Sequence, residues 1–435
     1  MSSRANFLTV SLCLVVGCAA VAQSEMPTED KWAIGDPIVT YWAGPATHNV
    51  LDDTAVAQLV AGGWNMGWAD TVEQLDIFHH HGMRAMLSLV DFQRIDLNDQ
   101  AQVRRLEEKI AKAKDHPALY AYYGTDEPGA AAFAKVGKFV AWLRQRDPAH
   151  PAWINLYPMY ASAGRDGQLG TEGDTVTAYR EHLRLYMETV KPSMLSYDHY
   201  NFFTDGDQSL YFPNLAMIRQ AALDGGVPFV NVIQAVDWQP GWRSPTEGEM
   251  RWLTYTTLAY GGQGICHFVY NFKNVKSGFF DQKDNDRPLP RYWSCSRINR
   301  DFVAIGTELQ PLTSLGAYHL GTVPTGGEAL PADSPFRVEP TLAPVAFDPP
   351  KPVEGLLLTK PVEGLLLGYF GSTGKPTHVL VVNLDYTNAV ETDLVGPGPM
   401  QVFHAPTRAW QPAGDGTQVK LKLPPGGGTL VSLQQ

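Results

Sequence analysis

Two adjacent carboxylates follow a short apolar run in the first third of the chain. The segment Tyr120–Pro128 ends with Asp126 and Glu127 directly before the proline. Carboxylates held side by side repel each other, so one of the two is expected to have a raised pKa. A carboxyl group that keeps its proton near neutral pH can act as a general acid. The alternative is purely structural: Thr125 or Asp126 caps a helix that begins at the proline.

A second polar cluster lies in the segment Ser196–Asn201. Asp198, His199 and Tyr200 stand there in succession after an apolar run. In a strand, alternation sends Asp198 and Tyr200 to one side and His199 to the other. We interpret Asp198 as a second catalytic carboxylate or a ligand of a sugar hydroxyl, with His199 and Tyr200 as substrate-binding residues. A structural polar network beneath the loops is the alternative.

A third candidate segment is Val230–Trp242. Gln234 can hydrogen-bond a hydroxyl but cannot be a nucleophile, whereas Asp237 could be one. Trp238 and Trp242 suit stacking on the apolar face of a sugar ring, although packing is the alternative for each. Three further aromatic residues at predicted strand ends complete the candidate substrate-binding set: Trp42, Tyr157 and Tyr270.

The elements that must position these residues alternate between short apolar runs and amphipathic helical stretches. Eight strands are predicted: Ile38–Trp42, Met66–Ala69, Ala85–Val90, Leu119–Gly124, Ala152–Tyr157, Met194–Asp198, Phe229–Ala235 and Gly264–Tyr270. Helical periodicity separates them, as in Val103, Leu106 and Ile110. This alternation predicts an α/β fold, a (β/α)8 TIM barrel over residues 30–316, with the site at the carboxyl ends of the strands. No Gly-rich dinucleotide or phosphate loop and no G-x-S-x-G elbow is present.

The composition changes after about residue 316, where proline and glycine become frequent. Four strand-like runs follow: Gly364–Tyr369, His378–Asn383, Gln418–Leu423 and Thr429–Leu433. Residues 317–435 are therefore predicted to form a small all-β sandwich domain that braces the barrel. The octet KPVEGLLL occurs twice, at Lys351–Leu358 and Lys360–Leu367, which indicates a lengthened loop or one copied strand.

Residues 1–24 are predicted to be a leader rather than part of the fold. The apolar run Phe7–Val16 follows Arg4 and is too short to span a bilayer. A lipobox ending at Cys18 would tether the protein to a membrane through a lipid, whereas the alternative cleavage site Ala20–Ala22 would release it. Both alternatives predict an exported protein: periplasmic, an outer-membrane lipoprotein or secreted.

The composition limits the kinds of molecule that the chain is expected to bind. The net charge of -11 argues against nucleic acid, because binding phosphates requires clustered Lys and Arg. No cofactor or metal is predicted, since a helix fans the consecutive His79, His80 and His81 apart and only His48 lies near the first strand. Cys266 and Cys295, which lie beyond the leader, are expected to be separate buried thiols.

The stretches YYGTDEP, WINLYP, SYDHYNF and LAYGGQGICHFVYNF resemble (β/α)8-barrel glycoside hydrolases of the β-galactosidase-type clan. The resemblance covers roughly residues 36–316 and extends to the β-sandwich that often follows such barrels. It implies that Glu127 is the strand-four acid, with Asp126 in place of the asparagine that precedes this acid in the clan. The clan's strand-seven nucleophile is a glutamate, where this chain has Gln234. The second carboxylate is then Asp198 or Asp237, or the barrel only binds sugar.

The sequence thus predicts an exported glycoside hydrolase that cleaves plant or algal glycans, with Glu127 as general acid. Asp198 lies two strands from Glu127, which favours a wide gap between the carboxyl groups and inversion at the anomeric carbon. The alternative is a catalytically inactive carbohydrate-binding barrel. A metal-dependent hydrolase is a third, weaker hypothesis.

Overall fold

The computed structural model describes residues 37–44, 51–271, 278–281, 287–342, 345–346, 357–358, 362–372, 374–414 and 416–434. The predicted leader with Cys18, and His48, lie outside these residues. Among the described residues, no helix combines the length and apolar character that crossing a membrane requires.

Eight parallel strands form a nearly closed barrel. They are β1 (Ile38–Trp42), β2 (Met66–Ala69), β3 (Arg84–Ser88), β4 (Leu119–Asp126), β5 (Ala152–Leu156), β6 (Leu195–His199), β7 (Phe229–Gln234) and β8 (Gly264–Phe268). Neighbours pair in the order β1-β8-β7-β6-β5-β4-β3-β2. Asn65 bridges the seam between β1 and β2, because its backbone N–H donates to Val39 O and its side-chain oxygen accepts from Val39 N. The predicted barrel is confirmed, with strand ends shifted by one or two residues.

Eight helices alternate with these strands. They are α1 (Asp53–Ala61), α2 (Val72–His80), α3 (Gln100–Ala113), α4 (Phe133–Arg146), α5 (Thr175–Val190), α6 (Tyr211–Gly225), α7 (Glu247–Ala259) and α8 (Pro290–Leu309). Asp52, Asp99 and Asp174 cap α1, α3 and α5 by accepting hydrogen bonds from backbone N–H groups of the first turn. Each helix buries an apolar face against the sheet, as the periodicity predicts.

The barrel interior is filled by large side chains that include Tyr120, Trp153 and Val232. Cys266 belongs to this interior, whereas Cys295 lies on α8; both are buried and neither forms a disulfide, as predicted. The interior is therefore a packed core and not a pore.

Antiparallel strands follow the barrel. They are β9 (Thr313–Val323), β10 (Gly364–Gly371), β11 (His378–Asn383), β12 (Val390–Val395), β13 (Met400–His404), β14 (Ala409–Pro412), β15 (Gln418–Leu423) and β16 (Gly428–Leu433). The larger sheet has the order β9-β10-β11-β16-β13-β14, and β12 pairs with β15 in a smaller sheet. Leu365, Leu367 and Val381 pack between the two sheets.

The other face of the larger sheet packs on the barrel. Leu366, Leu380 and Leu430 point to that side and join the barrel core. The end of α7 lies so close to β10 that a Cβ added at Gly368 would be 2.4 Å from Ala259 O. Burial on both faces explains why the LLL run is continuously apolar and does not alternate.

The structure adds strands that sequence reasoning missed. The four predicted runs are all strands, but β9, β12, β13 and β14 were not predicted. Strand β9 begins at Thr313, a few residues before the predicted boundary. The second copy of the octet leads into β10. The end of the first copy, Leu357–Leu358, is also a strand and pairs with Asp207 and Gln208 of a short hairpin (residues 202–208) after β6.

Candidate active site

A cavity of about 550 Å³ opens at the carboxyl ends of the barrel strands. Its lining combines three acids with aromatic and amide side chains: Trp42, Asp126, Glu127, Asn155, Tyr157, Tyr160, Gln168, Asp198, Tyr200, Phe203, Gln208, Trp238, Gln239, Trp242 and Phe268, with Pro158 and Ala161. This is the end of the barrel at which the sequence predicts a site.

Strand β4 presents the two adjacent acids through a bulge. The pairing of β4 with β5 shifts register between Tyr123 and Thr125. Gly124 lies at the bulge because the ring of Phe92 covers its backbone, and an added Cβ would be 1.9 Å from that ring. The bulge is followed by Asp126, the last residue of β4.

The two acids are not helix caps. Helix α4 begins at Phe133, after a short 3-10 turn, and no side chain caps it. Asp126 instead pairs with Asn155 of β5, and Glu127 N donates to Asn155 O at 2.8 Å. The structural alternative, in which Thr125 or Asp126 starts a helix, is therefore wrong.

Glu127 has a strained backbone. Its φ is +44°, in the left-handed region that residues with a Cβ rarely adopt. Pro128 adds a restriction, since a residue before proline is normally extended. Such a conformation costs on the order of 1–3 kcal/mol and is concentrated at functional sites. The backbone strain therefore marks Glu127 as a residue held in place for its side chain.

Asn155 links the acids from strand β5. Its Nδ2 donates to Asp126 Oδ1 at 3.2 Å and to Asp198 Oδ1 at 3.1 Å. Its oxygen accepts from Ser196 Oγ at 3.0 Å, which fixes the orientation of the amide. Glu127 and Asp198 also share a hydrogen bond. Three strands thus bring the three predicted catalytic residues into one network.

Burial sets the protonation of this network. Asp198 is only 2% exposed, and this burial, together with the charge of Glu127, raises the pKa of Asp198 well above its usual range. Burial and the neighbouring Asp126 raise the pKa of Glu127 to about 7, opposed by the hydrogen bond from Asp198. Asp198 therefore keeps the shared proton and donates it to Glu127. Glu127 can take up and release a second proton near neutral pH.

The direct contact between Glu127 and Asp198 overturns one expectation. Inverting glycosidases keep their two carboxyl groups roughly 6.5–9.5 Å apart so that a water molecule fits between them. A shared hydrogen bond brings the two carboxyl groups much closer than that. The predicted wide gap between Glu127 and Asp198 is wrong, because the barrel's curvature brings the ends of β4 and β6 together around Asn155.

Aromatic side chains line another wall of the cavity. The ring of Tyr200 lies 4.6 Å from Trp242 and 4.9 Å from Phe268, between ring centroids. Trp238 lies 5.1 Å from Phe268. With Trp42 these rings form a continuous apolar surface of the kind that receives sugar rings. Of the predicted binding residues, Trp42, Tyr157, Tyr200 and Trp238 therefore line the cavity.

Four predicted binding residues do not line the cavity. His199 is fully buried, with its Nδ1 2.9 Å from Asn214 Oδ1 of α6, as the alternation within β6 requires. Tyr270 is buried against Trp64 in the core. Asp237 lies in the loop after β7 and is not among the lining residues.

Gln234 is the fourth predicted binding residue that does not line the cavity. Its side-chain amide forms hydrogen bonds to backbone groups instead. Its Oε1 accepts from Phe202 N at 2.7 Å, while its Nε2 donates to Phe202 O and to Arg243 O at 3.0 and 2.9 Å. It is fully buried. The expectation that Gln234 binds substrate is thus corrected: it fastens the loop after β7 to the hairpin after β6.

Arg243 adds further contacts between the loop after β7 and the hairpin after β6. Its guanidinium contacts Asp207 Oδ1 at 3.0 Å and Glu249 Oε1 at 2.5 Å, and it donates to Phe203 O. Tyr386, which follows β11, donates to Asp207 Oδ2 at 2.7 Å. The loops that carry the aromatic wall are therefore held by one buried ionic network that reaches the sandwich.

Sequence reasoning missed several lining residues: Asn155, Tyr160, Gln168, Phe203, Gln208, Gln239 and Phe268. Asn155 carried a usable signal, because it is a polar residue within the otherwise apolar run Trp153–Leu156. The others lie in loops or at strand ends where composition gives no distinct pattern.

The prediction that a helix fans the three consecutive histidines apart is also corrected. His80 ends α2, and His81 follows it in a non-helical conformation. Their ring nitrogens lie within 4.8 Å of each other and of an Asp53 oxygen, so two of the three histidines do converge. This group lies where α1 begins and α2 ends, and none of its members lines the cavity.

No family model and no curated protein matches the chain. Solved structures similar to it include a β-galactosidase from the psychrophilic Marinomonas ef1, with 11% identity over 66% of this chain and a TM-score of 0.46. This chain spans only 63% of that protein. A glucosidase from Croceicoccus marinus has 11% identity over 93% of this chain and 98% of its own, with a TM-score of 0.45. Xylanase 10B from Thermotoga maritima has 10% identity over 62% of this chain and 96% of its own, with a TM-score of 0.40.

Proposed function

We propose that the chain is a glycoside hydrolase in which Glu127 is the general acid. The observation that carries this proposal is the state of Glu127: a carboxyl group with a pKa raised to about 7, on a strained backbone, at the wall of a cavity. A general acid works best when its pKa lies near the working pH. Burial, the proximity of Asp126 and the hydrogen bond from Asp198 together supply that property.

The cavity also suits a sugar. Aromatic rings offer surfaces for the C–H faces of a pyranose. Asn155, Gln168 and Gln208 place amide groups at the same cavity, where they can bind hydroxyl groups. In the reaction, the Glu127 carboxyl would protonate the oxygen of the leaving group. The resulting carboxylate would then accept a proton from the attacking water.

Each of the other members of the acid network has a separate role. Asp198 is too buried to approach a substrate freely and acts by holding the proton that it donates to Glu127. Asn155 fixes Asp126 and Asp198 relative to each other.

Export through the leader and a plant or algal origin of the glycan stay predictions from the sequence.

The test compares the purified protein with Glu127→Gln on a panel of aryl glycosides and glycans. We expect Glu127→Gln to reduce kcat by about 10³-fold, because general acid catalysis of this kind contributes about 10²–10⁴-fold. Glu172→Gln, which makes the same change at an exposed glutamate, is the matched control and should retain full activity.

Two results would contradict the proposal. Undiminished turnover by Glu127→Gln would remove the acid role from this residue. Sugar binding without hydrolysis by either protein, shown by calorimetry, would identify the chain as the predicted carbohydrate-binding barrel.

A further inference from the structure

The acids of the cavity lie on one wall and do not face one another. Mechanisms with two catalytic carboxylates require a second carboxyl group about 5–5.5 Å away for retention, or about 6.5–9.5 Å away for inversion. Glu127 and Asp198 share a hydrogen bond, which is closer than either geometry. Asp126 and Asp198 both accept from the same Asn155 nitrogen. The three acids therefore act as one cluster at a single side of a bound sugar.

The lining that β7, β8 and β1 contribute is aromatic. Among the lining residues that the structure describes, these strands and the loop after β7 provide Trp42, Trp238, Trp242 and Phe268 together with Gln239, and no carboxylate. Gln234, at the position of the clan's nucleophile, has its amide committed to the backbone. The described cavity thus offers an acid but no opposing nucleophile.

From this arrangement we infer that the substrate supplies the nucleophile, and that the chain acts on glycosides of 2-acetamido sugars. The inference rests on the proposed glycosidase function. The carbonyl oxygen of a 2-acetamido group can reach C1 of its own sugar, which removes the need for a second catalytic carboxylate. The enzyme then has to provide one acid, one group that polarises the amide, and an apolar surface for the methyl group.

The cavity contains all three features. Glu127 is the acid. Asp126 is solvent-accessible at the cavity wall, and its Oδ1 is held by Asn155, which leaves Oδ2 to accept the amide N–H. Tyr200 follows the same strand as Asp198 and joins Trp242 and Phe268 in the aromatic surface, so an apolar face adjoins the acids.

In the first step, the acetamido oxygen forms a bond to C1 as the bond from C1 to the leaving oxygen breaks. The leaving oxygen keeps that electron pair and takes the proton of Glu127. The amide nitrogen passes its proton to the Asp126 carboxylate, which gives a neutral oxazoline.

In the second step, water attacks C1 and Glu127 takes a proton from it. The bond between C1 and the oxazoline oxygen breaks, and the nitrogen regains its proton from Asp126. Both acids return to their starting states, and the anomeric configuration is retained because C1 is displaced twice.

The first experiment compares pairs of 4-nitrophenyl glycosides that differ only at C2. Both anomers of the glucose and galactose compounds are matched with their 2-acetamido counterparts. We expect kcat/KM to be at least about 100-fold higher for a 2-acetamido compound, since the 2-hydroxyl cannot replace the nucleophile at the transition state. Hydrolysis of the 2-hydroxy compounds that is equally fast and depends on Glu127 would overturn the inference and leave the glycosidase function standing. Turnover of neither class would defeat both.

The second experiment tests participation of the acetamido group and of Asp126. Successive fluorination of the acetyl methyl weakens the carbonyl nucleophile, so kcat should fall with each fluorine while product analysis shows retention. Asp126→Asn should lower kcat strongly and change KM little, because the amide is polarised mainly at the transition state. A kcat that is insensitive to fluorination, or inversion of configuration, would overturn the inference.

Discussion

The two walls of the cavity are built by different means. The acid wall stands on the ends of β4, β5 and β6, where backbone pairing with Asn155 and the bulge at Gly124 fix each residue. The aromatic wall draws on the loops after β6 and β7, where backbone groups are held by the side chains of Gln234 and Arg243. The acid wall is positioned by the sheet itself. The aromatic wall takes Trp42 and Phe268 from the strand ends of β1 and β8, and its loop residues are positioned by a polar network added to the sheet.

In the proposed reaction, the acid wall transfers protons and the aromatic wall binds the sugar. Displacing the acids requires disruption of the barrel, so the proposed proton transfer has a rigid geometry. The aromatic wall depends on Arg243, Asp207 and Tyr386, and this network also ties it to the sandwich. Changes in the network should therefore affect substrate binding and overall stability before they affect the acids.

The largest effect is expected from Arg243→Met. Removal of the guanidinium leaves Asp207 and Glu249, 7% and 2% exposed, as buried carboxylates without their cation. Breaking a buried ion pair in this way costs about 4 kcal/mol of unfolding free energy. Urea denaturation measures the loss, and KM should rise more than kcat falls because only the aromatic wall loosens.

The matched control is Arg184→Met, which removes an exposed arginine from two surface carboxylates on α5. It should change stability little. If Arg243→Met unfolded no more easily than this control, the network would not be what holds the loops. A fall in kcat at constant KM would show that the two walls are coupled.

The next largest effect is expected from Gln234→Glu. This variant introduces the glutamate that the β-galactosidase-type clan has at the corresponding position of strand seven. A carboxylate at this position would face the carbonyl oxygens of Phe202 and Arg243 that the amide now binds. We expect a loss of about 3 kcal/mol in urea unfolding and no gain in activity. Gln145→Glu makes the same change at an exposed residue of α4, away from the cavity, and should be tolerated. Faster hydrolysis by Gln234→Glu would place position 234 in the active site after all.

The same contrast explains what the sequence could predict. Asp126, Glu127 and Asp198 were found because a strand end is a local feature, and the barrel topology brings strand ends together. The alternation rule even separated Asp198 from His199 correctly. Other assignments failed where a residue's partner lies elsewhere in the chain: the amide of Gln234 binds backbone groups of Phe202, 32 positions away.

Gln234 and Asn155 illustrate the remaining limits. Gln234 is the last residue of β7, so its position matched a catalytic one, and only the backbone conformation of the following loop shows that its amide is already used. Asn155 acts through hydrogen bonds to two other strands, and no single strand's pattern reveals such a link. Local patterns predicted the acid wall, and long-range contacts determine the aromatic wall.

The last of these effects, and the only stabilising one, is that of Asp198→Asn. An asparagine keeps both hydrogen bonds, accepting from Asn155 and donating to Glu127, but removes a buried carboxyl group whose pKa is raised. A raised folded-state pKa means that stability is present below the unfolded pKa, near 4, and is lost as the pH rises through the folded value. The variant should therefore match the wild type at pH 4 and be more stable than the wild type at pH 8.

Activity should respond to the same change in a way that separates Asp198 from Asp126. Asp198 acts on Glu127 through a hydrogen bond that lowers the pKa of Glu127, whereas the charge that raises this pKa is that of Asp126. The asparagine keeps the hydrogen bond, so the alkaline limb of the kcat/KM profile should stay in place while the Tm measured at pH 8 rises. A limb that moves, or a stability gain that is equal at pH 4 and pH 8, would contradict a protonated Asp198 that donates to Glu127.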